Sequence, residues 1–67
     1  MQVIINGEHT MLTEVRTVEN LINHLELSGR IAIEINRQII PRSEFATRLI
    51  TDGDVIEIVH AIGGGCP

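Results

Sequence analysis

Only one stretch of this chain repeats apolar side chains at helical spacing. Val18, Leu21, Ile22 and Leu25 recur at i, i+3, i+4 and i+7 and form a single stripe. A helix with one apolar stripe must lay it against another element, and the remaining apolar runs all read as strands. The possible architectures are thereby reduced to one main helix across one face of one sheet. Thr17 fits the N-cap of this helix, and Glu19 falls in the first turn, where the positive end of the helix dipole favours a carboxylate. Asn20, Asn23, His24 and Glu26 fall on the opposite side, towards water. Ser28-Gly29 is the expected stop, with Gly29 as the left-handed residue beyond the cap.

The strands are read from alternation and turn chemistry. Met1 to Asn6 is rich in β-branched residues and ends at Asn6-Gly7, a pair suited to the positive φ angles of a two-residue hairpin. A second strand is expected from about His9 to Glu14. Ile31, Ile33 and Ile35 alternate with Ala32, Glu34 and Asn36, which predicts a strand covered on one face. Asn36-Arg37 then turns the chain into a short Gln38-Ile39-Ile40 strand that Pro41 halts. A single helical turn is expected within Arg42 to Ala46, anchored by Phe45, followed by a short edge segment from Thr47 to Ile50. Thr51-Asp52-Gly53-Asp54 is a turn by composition, and Val55 to His60 is the most strand-like run of all. It places Ile56 and Ile58 on one face and Val55, Glu57 and Val59 on the other. The predicted class is α+β, a mixed sheet of four to five strands with one main helix across one face. If the first and last strands are central neighbours they run parallel, which is the β-grasp (ubiquitin-like) arrangement.

Size and charge exclude several functions. The chain has 67 residues, near the lower limit for one self-sustaining core, and Phe45 is its only aromatic residue, so that core must be aliphatic. A net charge of −4, with five scattered arginines and no lysine, argues against nucleic acid, whose phosphates call for clustered cations. It favours a basic protein partner instead. The opening residues carry no basic leader or membrane span, and one cysteine makes no internal disulfide, so the expected compartment is the cytoplasm. His9, His24 and His60 match no zinc spacing, and no metal site is expected. Glu14, Glu19, Glu34, Glu57 and Asp54 read most simply as solvated charges, with no pair set for acid-base catalysis.

The domain is expected to occupy residues 1–62, followed by a flexible glycine-rich tail over 63–67. Gly63, Gly64 and Gly65 make a slim arm able to enter a narrow channel, because three residues without Cβ atoms leave the backbone and the Gly65 carbonyl sterically open. Val59 and Ile62 are candidates for docking a partner, since Val59 faces away from Ile56 and Ile58; mere cover of the sheet surface is the competing reading. Cys66 could in principle carry sulfur as a persulfide, but no neighbouring cation or helix N-terminus is visible to lower its pKa.

Across nearly its whole length the chain resembles the ThiS family of ubiquitin-like sulfur carriers. The resemblance lies in Met1-Gln2-Val3-Ile4-Ile5-Asn6-Gly7, the Thr17-Val18 helix start, Ile33 to Asn36 followed by Ile39-Ile40-Pro41-Arg42, and Asp52 to Val59 before the glycines. It implies that the chain is a protein substrate rather than an enzyme and binds no cofactor itself. A ThiF-like partner uses ATP to adenylate the terminal glycine, here Gly65, which is then thiocarboxylated, and the sulfur passes to the thiazole synthase ThiG. No phosphate-binding loop is present, since the glycines precede no helix and no lysine follows them. The family ordinarily ends at its diglycine, whereas Cys66 and Pro67 follow here, so their prior removal by a JAMM-type protease is expected. Sibling carriers serve molybdopterin or sulfur amino-acid synthesis, and the blocked tail keeps that alternative open. A noncatalytic β-grasp interaction module is a further one.

Overall fold

The computed structural model describes residues 1–60. Its elements follow the order β1 (Gln2–Ile5), β2 (Glu8–Met11), α1 (Val18–His24), β3 (Ile31–Ile35), β4 (Gln38–Ile40), a 3-10 turn (Arg42–Glu44) and β5 (Val55–His60). The five strands form one sheet in the order β2-β1-β5-β3-β4. β1 and β5 run parallel through Ile4↔Val55 and Ile5↔Ile56, while β3 runs antiparallel to β5 from Ile31↔His60 to Ile35↔Ile56. The last strand is thus central and parallel to the first, which meets the condition for the β-grasp arrangement.

One face of the sheet carries the core. Val3, Ile33, Ile35, Ile40 and Ile56 are buried against Val18 and Leu21 of α1, with Leu12, Val15 and Ile50 closing the rim. Ile22, Leu25, Ile58 and the lone Phe45 pack as partly buried neighbours. Both two-residue hairpins use left-handed backbone: Asn6 and Gly7 have φ of 49° and 84°, and Asn36 and Arg37 have 51° and 71°. These mirror-image turns match the twist of the strands they join.

Thr17 caps α1 as expected. Its side-chain oxygen accepts from the Asn20 N–H at 3.1 Å, and Asn20 Oδ1 accepts in return from the Thr17 N–H at 3.2 Å. Asn20 therefore completes a reciprocal cap instead of merely facing water. Two further N–H groups of the first turn are taken by the 3-10 region, from Val18 to the Arg48 carbonyl at 3.0 Å and from Glu19 to the Phe45 carbonyl at 2.9 Å.

Four expectations need correction. The helix does not run to Ser28-Gly29; it ends at His24 with Leu25 as C-cap, and Glu26 takes the left-handed position at φ 57°. The Glu26 N–H donates to the Asn23 carbonyl at 3.1 Å and the Leu27 N–H to the Ile22 carbonyl at 3.0 Å, the paired bonds of a Schellman end. Gly29 does have positive φ, but in the loop beyond. The second strand is Glu8–Met11 and not His9 to Glu14, because β1 offers no partner beyond Met1, whose carbonyl accepts from the Leu12 N–H at 2.8 Å. Glu14 then turns away at φ 62°. The Thr47 to Ile50 segment does not join the sheet; Leu49 makes a lone antiparallel bridge to Thr17.

Asp54 is the fourth. It is not solvated but 6% exposed, and its carboxylate accepts from the Thr51 N–H at 2.9 Å, the Thr51 hydroxyl at 3.0 Å and Asn36 Nδ2 at 3.0 Å. It ties the turn before β5 to the turn after β3.

Two substitutions test this account. Asp54→Ala removes three hydrogen bonds to a buried carboxylate and should destabilise the domain by about 2–3 kcal/mol, lowering Tm by on the order of 10–20 °C in a thermal melt. Glu26→Gly removes the side chain from a left-handed site and should stabilise by about 0.5–1 kcal/mol after the entropy of an added glycine is subtracted, raising Tm by roughly 3–6 °C.

Candidate functional site

The site is organised by β5, the strand that leads into the glycine arm. β3 supports one edge of it as far as His60. The other edge has β1 for only two residue pairs, and the backbone of β1 then turns off at Asn6. Along that edge the Asp54 carbonyl accepts from the Ile4 N–H and the Ile56 carbonyl from the Asn6 N–H, both at 2.9 Å. A continuing parallel ladder would next engage Ile58. The Asn6 side chain does so instead: the Ile58 N–H donates to Asn6 Oδ1 at 2.8 Å, and Asn6 Nδ2 donates to the Ile58 carbonyl at 3.2 Å. A side-chain amide has the donor and acceptor of a peptide unit, so it can stand in for one.

Asn36, at the equivalent place in the second hairpin, treats the start of β5 in a similar way. Its Oδ1 accepts from the Val55 N–H at 3.0 Å, and its own N–H donates to the Val55 carbonyl at 2.8 Å. β5 is therefore held at both ends by hairpin asparagines that the sequence reading treated only as turn formers. The one available signal was that both hairpins flanking β5 open with asparagine.

The sheet face away from α1 is uncovered among the described residues. Val59 lies on it, 59% exposed, beside Val55 at 41% and Ile39 at 75%. Ala32, Glu34, Ile39, Glu57 and Val59 wall a shallow hollow of about 160 Å³, below the roughly 300–1,000 Å³ of small-molecule sites. It fits an inserted side chain better than a metabolite. Glu34 and Glu57 stand directly opposite each other across β3 and β5, an arrangement of like charges that weakens a sheet. No arginine occupies a paired position of this face.

The other expected positions are placed as follows. His9 is on β2, His24 ends α1 and His60 ends β5, so the three lie on separate elements. Among the described residues no three His, Cys, Asp or Glu side chains gather as metal ligands, and no helix is long and apolar enough to cross a membrane. Ile62, the arm residues Gly63, Gly64 and Gly65, and Cys66 and Pro67 lie outside the described residues.

A central last strand parallel to the first, with one helix across one face, defines a β-grasp domain of the ubiquitin-like class. Comparison with known proteins narrows this. The family model described as ThiS family matches residues 2–65. The chain is 33% identical over 66 residues to the sulfur carrier protein ThiS of Escherichia coli, covering 97% of this chain and 100% of that one. It is 42% identical over 66 residues to a thiazole synthase of Paramagnetospirillum magneticum, covering 97% of this chain but only 20% of that protein, so it spans a fifth of this relative's length. A crystal structure of the thiamine biosynthesis protein ThiS from Geobacter metallireducens superposes with a TM-score of 0.82 at 25% identity, covering 97% of this chain and 100% of that one. The chain belongs to the ThiS family.

Proposed function

We propose that this chain carries sulfur for thiazole formation in thiamine biosynthesis, as the substrate of partner enzymes and not as an enzyme. The observation that carries the reading is the family match, which runs through the whole domain and stops at Gly65. A carboxylate at Gly65 is a poor electrophile. Adenylation by a ThiF-like partner, with ATP as the partner's co-substrate, gives an acyl-adenylate whose AMP a sulfur nucleophile can displace. The resulting thiocarboxylate donates its sulfur to an acceptor, and a relative named thiazole synthase favours ThiG over molybdopterin or amino-acid routes. The setting is the cytoplasm, where the thiols of such a pathway stay reduced.

Cys66 follows Gly65 directly, so the Gly65 carbonyl is an amide until that bond is cut. A JAMM-type protease removes Cys66-Pro67 in this reading, and Cys66 has no further part. Val59 and Ile62 dock the adenylating partner. Support for Val59 comes from its exposure on the uncovered face of the strand that leads to the arm.

Three experiments test these roles. A chain shortened to end at Gly65 should be adenylated by a ThiF-type enzyme in ATP–pyrophosphate exchange, whereas one lacking residues 64–67 should stay folded and lose all exchange. Intact-protein mass spectrometry from native cells should show loss of Cys66-Pro67; an adenylate formed on a chain still ending in Pro67 overturns the processing step. Val59→Asp should weaken binding to the same enzyme about tenfold by calorimetry while costing about 1 kcal/mol of stability, for an aspartate within a strand beside Glu57, and leaving the domain folded. Unchanged affinity removes Val59 from the docking surface.

A further inference from the structure

We infer that Asn6 is a positioning residue for the arm: its side-chain amide, paired with both backbone groups of Ile58, carries the β1-side support of the last strand two residues beyond the point where the backbone of β1 leaves it. This rests on the carrier reading above and adds to it a residue 52 positions from its contact.

The geometry separates the two edges of β5. In this strand the backbone groups of Val55 turn to the β3 side, where Asn36 takes both, and those of residues 54, 56 and 58 point to the β1 side. There the Asp54 and Ile56 carbonyls meet backbone donors of β1, and at Ile58 the backbone of β1 is already in its left-handed turn, with φ 49° at Asn6. Without the amide, the β1 edge of β5 would lose its support at Ile56. With it, support reaches Ile58, two residues before the end of the strand. Backbone that is not fixed beforehand must be ordered when a partner takes hold of the arm, and each residue so ordered opposes capture. Asn6 thus shortens the length of strand edge that the partner has to immobilise.

The position also explains why asparagine suits both of its tasks. The first residue of this hairpin turn needs positive φ, which asparagine tolerates better than other residues with side chains. Glycine would form the turn equally well but has no amide to lend. Asn6→Gly therefore removes the bridge and keeps the turn.

Asn36→Gly is the control at the other end of the strand, and it is the more disruptive of the two because it also removes the bond from Asn36 Nδ2 to Asp54. Asn36 has nearly the same backbone conformation, φ 51°, and clamps Val55, at the end of β5 remote from the arm. Both variants are built on the chain ending at Gly65 and assayed by ATP–pyrophosphate exchange with a ThiF-type enzyme below both melting temperatures. Asn6→Gly should lower exchange about tenfold, the size expected for one extra residue to be ordered, and Asn36→Gly should leave it near the unsubstituted rate. Hydrogen exchange should show the Ile58 N–H losing protection in Asn6→Gly alone. Equal loss of activity in the two variants, or full activity in Asn6→Gly, overturns the positioning role while leaving the carrier reading intact. An unsubstituted chain that supports no exchange overturns the carrier reading, and the role of Asn6 with it.

Discussion

The parallel contact between β1 and β5 is two residue pairs long, and the sheet depends on it. Without it the strands fall into two sets that chain connectivity already favours, the β1-β2 hairpin and the antiparallel group β4-β3-β5. Parallel pairing needs a long crossover, here everything from β2 through α1, β3, β4 and the 3-10 region. So short a ladder is reinforced by contacts outside it. At its start the Gly53 N–H donates to the Gln2 carbonyl at 2.7 Å and the Gln2 N–H to Asp52 Oδ1 at 2.6 Å. At its end stands the Asn6 amide. The junction is also sealed from the core side, because Val3 and Ile56, one from each set, are buried beneath α1.

Side-chain polar groups thus complete backbone pairing where the strands run out. Asn6 acts at Ile58, Asn36 at Val55 and Asp54 at Thr51, each satisfying main-chain donors that would otherwise be unpaired. No buried side-chain polar atom of the described residues lacks a partner. A domain of this size has few apolar residues to spare, so a handful of well-placed amides and one buried carboxylate matter more than they would in a larger core.

The parts of this fold legible in the sequence are those fixed by burial. The stripe Val18, Leu21, Ile22, Leu25 and the alternation of Ile31, Ile33 and Ile35 encode which side faces inward, and the structure follows both. The turn pairs Asn6-Gly7 and Asn36-Arg37 were legible because few residues accept positive φ. Where the helix stops was not, because the stop is set by backbone bonds from Glu26 and Leu27 that override the preference for glycine at such a position. The roles of Asn6 and Asp54 were not legible either, since their partners lie up to 52 residues away in the chain and only the folded sheet brings them together. Of the candidate site, the outward face of Val59 could be read from alternation alone, whereas the hollow beside it required knowing that Ala32 and Ile39 arrive there from β3 and β4.

The same strand answers two opposed demands. Towards α1, Ile56 is fully buried, so β5 is the middle of the core. Away from α1 it shows Val55, Glu57 and Val59 to solvent, and Glu57 faces Glu34 in a pairing that works against the sheet. A domain selected for stability alone would place opposite charges there and polar residues at 55 and 59. The uncovered face is understandable if a partner completes it, contributing apolar surface over Val59 and positive charge near the two carboxylates. On the other face, the core holds β5 immobile. The proposed carrier role calls for both properties in one element, since a partner would grip the strand leading to the arm from outside without pulling it out of the fold.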